Sequence, residues 1–154
     1  MDENTAAVSR SHENTLKGLD LMTTPETTPT FMEQALAVRE NAYAPYSGFQ
    51  VGAVLAAADG RLFYGCNVEN ASYSMTICAE RNAIFAAIAA GVREFHKIAI
   101  VGGKTAEEAR KKPCLPCGAC LQVLAEFCPP TFPILLADGV HLLGELLPAQ
   151  FQLD

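Results

Sequence analysis

Pro-Cys-Gly-Ala-Cys at residues 116–120 opens a predicted helix over residues 117–127, with a proline where its missing N–H costs little. A second predicted helix, residues 78–90, begins with Cys-Ala-Glu. Residues three apart lie on one face of a helix, so Cys117 and Cys120 can reach the same point. The sequence therefore predicts that two helix N-termini meet at a cluster of three thiols.

Strands are predicted on either side of these helices along the chain. Asp59-Gly60 is a hairpin turn between two apolar runs, and Thr30 with Glu33 has the spacing of a helix capping box. Helices are predicted at 30–44, 78–90, 105–112 and 117–127, and strands at 51–58, 62–67, 97–101 and 133–137. Residues 140–147 are compatible with a strand or a helix. This order predicts an α/β fold, a three-layer α/β/α sandwich around a mixed sheet of about five strands.

The length of the chain, 154 residues, suits one domain with a single core. Residues 1–29 are rich in Thr, Glu, Asn and Ser and contain Pro25 and Pro29, so we expect a flexible N-terminal extension there. Residues 30–154 are expected to form the folded domain that carries the thiol cluster.

Charge and composition restrict the partners. The formal net charge of −6 argues against polynucleotide binding, because neutralising phosphates requires a basic surface. No apolar run approaches the ~20 residues that span a bilayer, and the first residues, Met-Asp-Glu-Asn, do not resemble a secretory signal. We therefore expect a cytoplasmic protein that binds neither nucleic acid nor membrane. In that compartment the six cysteines are expected to be metal ligands and buried thiols rather than disulfides.

Three thiolates from Cys78, Cys117 and Cys120 are a suitable ligand set for zinc. Three protein ligands leave a fourth zinc position for water, as in catalytic rather than structural sites. Glu80, two residues from a ligand, can then move protons to and from that water. Zinc with three thiolates carries a net negative charge, and Arg81 is a candidate cation to offset it from the second coordination shell.

A second register of the cysteine motif is possible. Pro-Cys-Leu-Pro-Cys at residues 113–117 also fits the pattern Pro-Cys-x-x-Cys. A site closed by Cys78, Cys114, Cys117 and Cys120 would make the zinc structural, with no catalysis. The pair Cys117 and Cys120 is preferred because Pro116 separates the earlier pair from the helix.

Sequence similarity extends well beyond the cysteines. The matching blocks are Tyr-Ala-Pro-Tyr-Ser-Gly-Phe-Gln-Val-Gly-Ala at 43–53, Asn-Val-Glu-Asn-Ala-Ser-Tyr at 67–73, Thr-Ile-Cys-Ala-Glu-Arg at 76–81, Pro-Cys-Gly-Ala-Cys with Gln122, and Glu-Leu-Leu-Pro at 145–148 ahead of Phe151. With these blocks the chain resembles the cytidine deaminases of the short, homotetrameric class, from about residue 30 to residue 151.

The resemblance implies one zinc ion per subunit and a catalytic domain over residues 30–154. The implied reaction is hydrolytic deamination of cytidine and 2′-deoxycytidine to uridine and 2′-deoxyuridine with release of ammonia, in pyrimidine salvage. Zinc-bound hydroxide is expected to attack C4 of the base, with Glu80 as the proton shuttle.

The resemblance also assigns substrate contacts. Phe49 would stack on the pyrimidine ring, Asn67 and Glu69 would bind the ribose 3′-hydroxyl from one face of a strand, and Ala79 would offer backbone groups to the base. The residues implied to complete a neighbouring subunit's site are Tyr46, Ala71, Tyr73 and Phe151. Activity is therefore expected to depend on a homotetramer.

The chain departs from the family pattern at a few positions. Leu121 stands where Arg is usual, and the segment before Glu145 is a few residues shorter. Two alternatives remain open: a deaminase of a modified cytosine nucleoside, and a non-catalytic, zinc-stabilised interaction module. A polynucleotide-editing deaminase is disfavoured by the acidic net charge.

Overall fold

The computed structural model describes residues 30–153, so the predicted extension at 1–29 lies outside the described residues. The helices are α1 (Phe31–Arg39), α2 (Ala79–Ala89), α3 (Ala106–Lys111), α4 (Gly118–Phe127) and α5 (Leu143–Leu146), with a 3₁₀ turn at Tyr73–Met75. The strands are β1 (Gln50–Ala57), β2 (Leu62–Cys66), β3 (Phe95–Gly103), β4 (Pro133–Leu136) and β5 (Gly139–Leu142). Within residues 30–153, the helices are too short or too polar to cross a membrane.

The strands form one sheet of five, in the order β2-β1-β3-β4-β5. The pairs β1–β2, β1–β3 and β4–β5 are antiparallel, and β3–β4 is parallel. The predicted α/β class with a mixed, five-stranded sheet is therefore confirmed. Gly60 has φ +88°, which a residue without Cβ adopts at no cost, and it makes the predicted turn between β1 and β2.

Both faces of the sheet are covered by helices. Side chains alternate along a strand, and in β3 Ile98 and Ile100 face one core while Ala99 and Val101 face the other. The larger core includes residues of α2, α4 and α5, and the smaller one includes residues of α1 and α3. This is the predicted three-layer arrangement, and the two helices that begin with cysteine lie on the same face.

The first helix begins as predicted but ends early. The Thr30 hydroxyl accepts from the backbone N of Glu33, whose carboxylate accepts from the backbone N of Thr30. The helix stops at Arg39 rather than near residue 44. The physical reason is a competing backbone pairing, because the N–H of Tyr43 donates to the carbonyl of Asn67 at 3.0 Å.

The ambiguous segment at 140–147 contains both element types. It forms β5 and then the single turn of α5, where the carboxylate of Glu145 accepts the backbone N–H of Leu142 at 2.9 Å. The other predicted elements are present with shifts of one or two residues at their ends.

One glycine lets α2 lie directly on the sheet. A Cβ placed on Gly65 would lie 2.1 Å from the carbonyl oxygen of Ala79 and 2.6 Å from the backbone N of Ala83. Any larger residue at this position of β2 would push the helix away. The close approach fixes the start of α2, and with it Cys78 and Glu80, against the sheet.

Candidate metal centre and active site

Three thiols meet where two helices begin. Cys78 is the N-cap of α2, Cys117 is the N-cap of α4, and Cys120 lies in the first turn of α4. Their Sγ atoms all lie within 4.8 Å of one another, with 3.9 Å between Cys78 and Cys117 and 3.6 Å between Cys117 and Cys120. The structure thus brings together the three cysteines that the spacing selected.

This thiol cluster fits a zinc ion by its chemistry and its spacing. Thiolates bind zinc at about 2.3 Å, so two sulfurs of a tetrahedral site lie about 3.8 Å apart. The Sγ atom of Cys117 lies 3.9 Å from that of Cys78 and 3.6 Å from that of Cys120, which are values just above and below this separation. Within residues 30–153 this is the group of His, Cys, Asp and Glu side chains placed to hold a metal ion.

The surroundings of Cys78 favour its thiolate. Hydrogen bonds from the Cys120 thiol and the Arg81 guanidinium lower the pKa of Cys78 to about 5, against the effect of burial. Arg81 donates to the Cys78 sulfur at 3.4 Å. The pKa of Cys120 is raised, because its proton is shared with Cys78 and because it is buried. The N-terminus of α2 adds its favourable dipole, so a thiolate at this point is well stabilised.

Cys114 lies outside the thiol cluster. Its sulfur packs on the backbone of β3, where a Cβ placed on Gly102 would lie 2.5 Å away. Burial raises the pKa of Cys114 to about 12, so its thiol keeps its proton at neutral pH. These contacts favour the three-thiol site over the closed, four-cysteine alternative.

Glu80 is buried beside the thiols. Its exposure is 4%, and burial raises its pKa to about 7, with the negative charge of Cys78 acting in the same direction. A carboxyl group with a pKa near 7 can both take and release a proton near neutrality. The position of Glu80 in the first turn of α2, two residues from Cys78, suits proton transfer at the thiol cluster.

The side chain of Asn67 fixes the backbone around Phe49. Its Oδ1 accepts the N–H of Val51 at 2.8 Å, and its Nδ2 donates to the carbonyl of Phe49 at 2.8 Å. The Phe49 side chain is half-buried and packs against the larger core. An amide has two further hydrogen-bonding positions, so Asn67 can hold the backbone and still contact a ligand.

Glu69 holds the turn that precedes Phe49. Its Oε2 accepts the N–H of Tyr46 at 2.9 Å and of Ser47 at 3.2 Å, and its Oε1 accepts the Ser47 hydroxyl. These bonds, the Ser47 hydroxyl first, lower the pKa of Glu69, so the carboxylate is charged. Sequence reasoning assigned no role to Ser47, because nothing local reveals a partner 22 positions away.

The residues predicted to serve a neighbouring subunit are at the surface. Tyr46 and Tyr73 are 51% and 64% exposed, and their ring centroids are 5.8 Å apart. Phe151 is 67% exposed, and its carbonyl accepts from the Gln122 side chain of α4 at 3.1 Å. Ala71 is also exposed. An exposed aromatic pair such as Tyr46 and Tyr73 is typical of an interaction site.

Leu121 contributes to the core. It is 7% exposed and belongs to the larger core cluster. Helix α4 therefore presents no cation at the position after Cys120, and the guanidinium that donates to the thiol cluster is that of Arg81 in α2.

Comparisons with known proteins agree on one family. The family model for the cytidine and deoxycytidylate deaminase zinc-binding region matches residues 25–136. A cytidine deaminase of Sporosarcina psychrophila is 51% identical over 118 residues, which cover 73% of this chain and 82% of the relative. One of Halalkalibacterium halodurans is 44% identical over 125 residues, covering 78% and 90%. The crystal structure of cytidine deaminase from Burkholderia pseudomallei has a TM-score of 0.70 at 48% identity, covering 81% of this chain and 99% of that one.

Proposed function

The chain belongs to the zinc-binding cytidine and deoxycytidylate deaminases, and we propose that it converts cytidine and 2′-deoxycytidine with water to the corresponding uridines and ammonia. The observation that carries the proposal is the meeting of three thiols with the buried carboxyl group of Glu80. We place this activity in pyrimidine salvage in the cytoplasm, with residues 30–154 as the catalytic domain.

Cys78, Cys117 and Cys120 would hold one zinc ion per subunit. When bound there, zinc supplies the Lewis acidity that makes water nucleophilic at neutral pH. Arg81 donates to one of the three sulfurs and offsets part of their negative charge, which would otherwise oppose the ionisation of water.

Glu80 moves the protons of the reaction. It takes a proton from the water that attacks C4 and delivers it to the ring nitrogen. It then takes the remaining proton from the same oxygen, now bound to C4, and passes it to the amino group. The C4–N bond breaks, ammonia leaves and the oxygen becomes the C4 carbonyl of the product. Since this carboxyl group must gain and lose protons in turn, its pKa of about 7 suits the task.

The nucleoside would be held at both of its ends. Phe49 stacks on the base, and the backbone of Ala79 contacts the base edge. Asn67 and Glu69 bind the 3′-hydroxyl with the hydrogen-bonding positions that their backbone contacts leave free. Because these contacts involve the 3′-hydroxyl, both ribose and 2′-deoxyribose should be accepted.

The proposed reaction is tested by following the change in ultraviolet absorbance from cytidine to uridine, with zinc content measured on the same sample. We expect turnover of cytidine and 2′-deoxycytidine by protein with about one zinc per chain. Zinc-loaded protein that acts only on modified cytosine nucleosides would refute the proposed substrate. Zinc-loaded protein inactive on every cytosine nucleoside would indicate a structural zinc.

We further propose that the protein is a homotetramer in which Tyr46, Ala71, Tyr73 and Phe151 complete the site of a neighbouring subunit. The exposure of these aromatic side chains in the single subunit supports this arrangement. The net charge of −6 supports a small, neutral ligand rather than a nucleic acid.

A shared site predicts complementation between two defective subunits. Phe151→Ala is expected to lower kcat/KM about tenfold or more by removing aromatic contact area, and Glu80→Gln removes the proton shuttle. Mixed after reversible dissociation, the two variants should regain activity, because some sites then receive Glu80 from one chain and Phe151 from another. Mixed oligomers with no gain over the two separate variants would show that each chain uses its own Phe151.

A further inference from the structure

Ser47 links two residues that the proposed function assigns to opposite ends of the nucleoside. Its hydroxyl donates to Oε1 of Glu69, and the Ser47 Oγ itself accepts the backbone N–H of Phe49 at 3.0 Å. A continuous chain of hydrogen bonds therefore runs from the backbone of Phe49 through Ser47 to the carboxylate of Glu69. One end of this chain is the proposed base contact, and the other is the proposed ribose contact.

The hydroxyl of Ser47 determines which part of Glu69 remains available. Both backbone bonds to this carboxylate reach Oε2, so that oxygen is fully used. Oε1 accepts only the Ser47 hydroxyl among the hydrogen bonds of residues 30–153, which leaves one lone pair directed away from Ser47. A fixed donor on one side of Oε1 thus orients the acceptor that a ribose hydroxyl can use.

We propose that Ser47 is a positioning residue that couples recognition of the ribose 3′-hydroxyl at Glu69 to the placement of Phe49 against the base. The inference rests on the proposed function, since it needs a nucleoside whose sugar reaches Glu69. Linked hydrogen bonds polarise one another, so a ligand hydroxyl on Oε1 and the N–H of Phe49 act on the same chain.

The turn around Ser47 does not depend on its hydroxyl. Glu69 accepts the backbone N–H groups of Tyr46 and Ser47, and the N–H of Gly48 donates to the carbonyl of Ala44 at 3.0 Å. Gly48 has φ +65°, which completes the turn without a side chain. Ser47 is itself exposed, so truncation of its side chain leaves no buried cavity. Ser47→Ala should therefore fold and keep its zinc.

The test compares cytidine with 3′-deoxycytidine in wild type, Ser47→Ala and Ser47→Thr. In wild type, removal of the 3′-hydroxyl should lower kcat/KM about 30-fold, the size expected for a hydrogen bond to a charged group. In Ser47→Ala the same removal should cost less than about tenfold, because only the Asn67 contact to the hydroxyl is left intact, while kcat/KM for cytidine itself falls about fivefold. Ser47→Thr keeps the hydroxyl and should restore the discrimination.

Thr105→Ala is the matched control. The Thr105 hydroxyl also accepts a backbone N–H, that of Glu108 at 3.1 Å, but it caps α3 on the other face of the sheet. This variant should keep the full discrimination between the two nucleosides.

Each other outcome has a distinct meaning. If Ser47→Ala lowers kcat/KM for both nucleosides by the same factor, or for neither, the positioning role is wrong while the proposed function stands. If wild type treats both nucleosides alike, Glu69 does not read the 3′-hydroxyl and the inference is overturned. If wild type leaves cytidine unchanged, the proposed function itself fails and the inference fails with it.

Discussion

Glu80→Gln is expected to lower kcat for cytidine by about 10³- to 10⁴-fold, the upper range for loss of a general acid and base. Glutamine keeps the shape of the buried side chain, which is 4% exposed, but it cannot accept and release the protons of the reaction. Zinc content should stay at wild-type levels, because Glu80 is not part of the thiol cluster. Stopped-flow or steady-state absorbance with zinc analysis measures both quantities.

Glu126→Gln is the control for this substitution. Glu126 is an exposed residue of α4, so the same chemical change there should leave kcat within about twofold, as for most surface positions. A Glu80→Gln variant with more than a tenth of wild-type activity would exclude this carboxyl group as the proton shuttle.

Glu80→Gln, which is expected to lower activity, should raise the stability of the metal-free protein. The pKa of Glu80 rises from 4.5 to about 7 on folding, so the folded chain binds this proton more tightly than the unfolded chain. The free energy of unfolding should then fall as pH rises from about 4.5 to about 7. Glutamine cannot ionise, so Glu80→Gln removes this fall and should stabilise the metal-free protein at pH 8 on the order of 3 kcal/mol. Denaturation of the metal-free wild type and Glu80→Gln at pH 5 and pH 8 tests this prediction. If the difference in free energy of unfolding between the two proteins is the same at both pH values, the prediction is wrong.

The fold was predictable where local sequence determines backbone geometry. The capping box of Thr30 and Glu33 and the turn at Gly60 both depend on neighbouring residues, and both are present. The end of α1 was predicted wrongly, because Tyr43 leaves the helix to pair with a segment 24 residues away. Such a pairing has no local signature, so the proline at position 45 was an unreliable guide to the helix end.

In the candidate site, the meeting of the cysteines was predictable from the sequence, but the hydrogen bonds between distant segments were not. The three-residue spacing of Cys117 and Cys120 on a helix is enough to place them together, and the structure does so. The hydrogen bonds from the Asn67 side chain to the backbone around Phe49, which it makes in addition to its proposed ligand contact, were not predictable. They depend on β1 and the end of β2 lying side by side. The hydrogen bond between Ser47 and Glu69 was not predictable for the same reason.

Cys117→Ala is expected to abolish zinc binding, with less than about a tenth of a zinc ion per chain after dialysis. Two remaining thiols cannot form a stable site for zinc, and activity should fall below about 10⁻³ of wild type because no Lewis acid is left. Cys117 is exposed and makes no capping hydrogen bond through its side chain, so alanine should not disturb α4. Metal analysis, activity and circular dichroism on one preparation separate metal loss from unfolding.

Cys114→Ala distinguishes the two possible zinc sites. In the three-thiol site Cys114 only packs on Gly102, so the variant should keep one zinc per chain and most of its activity. The free energy of unfolding should fall by about 1 kcal/mol, because the side chain removed is small and half-buried. In the closed four-cysteine site it would lose zinc as Cys117→Ala does. A zinc ion with four thiolates has no position for water. Retention of zinc in Cys114→Ala together with its loss in Cys117→Ala would therefore establish the open coordination position on which hydrolysis depends.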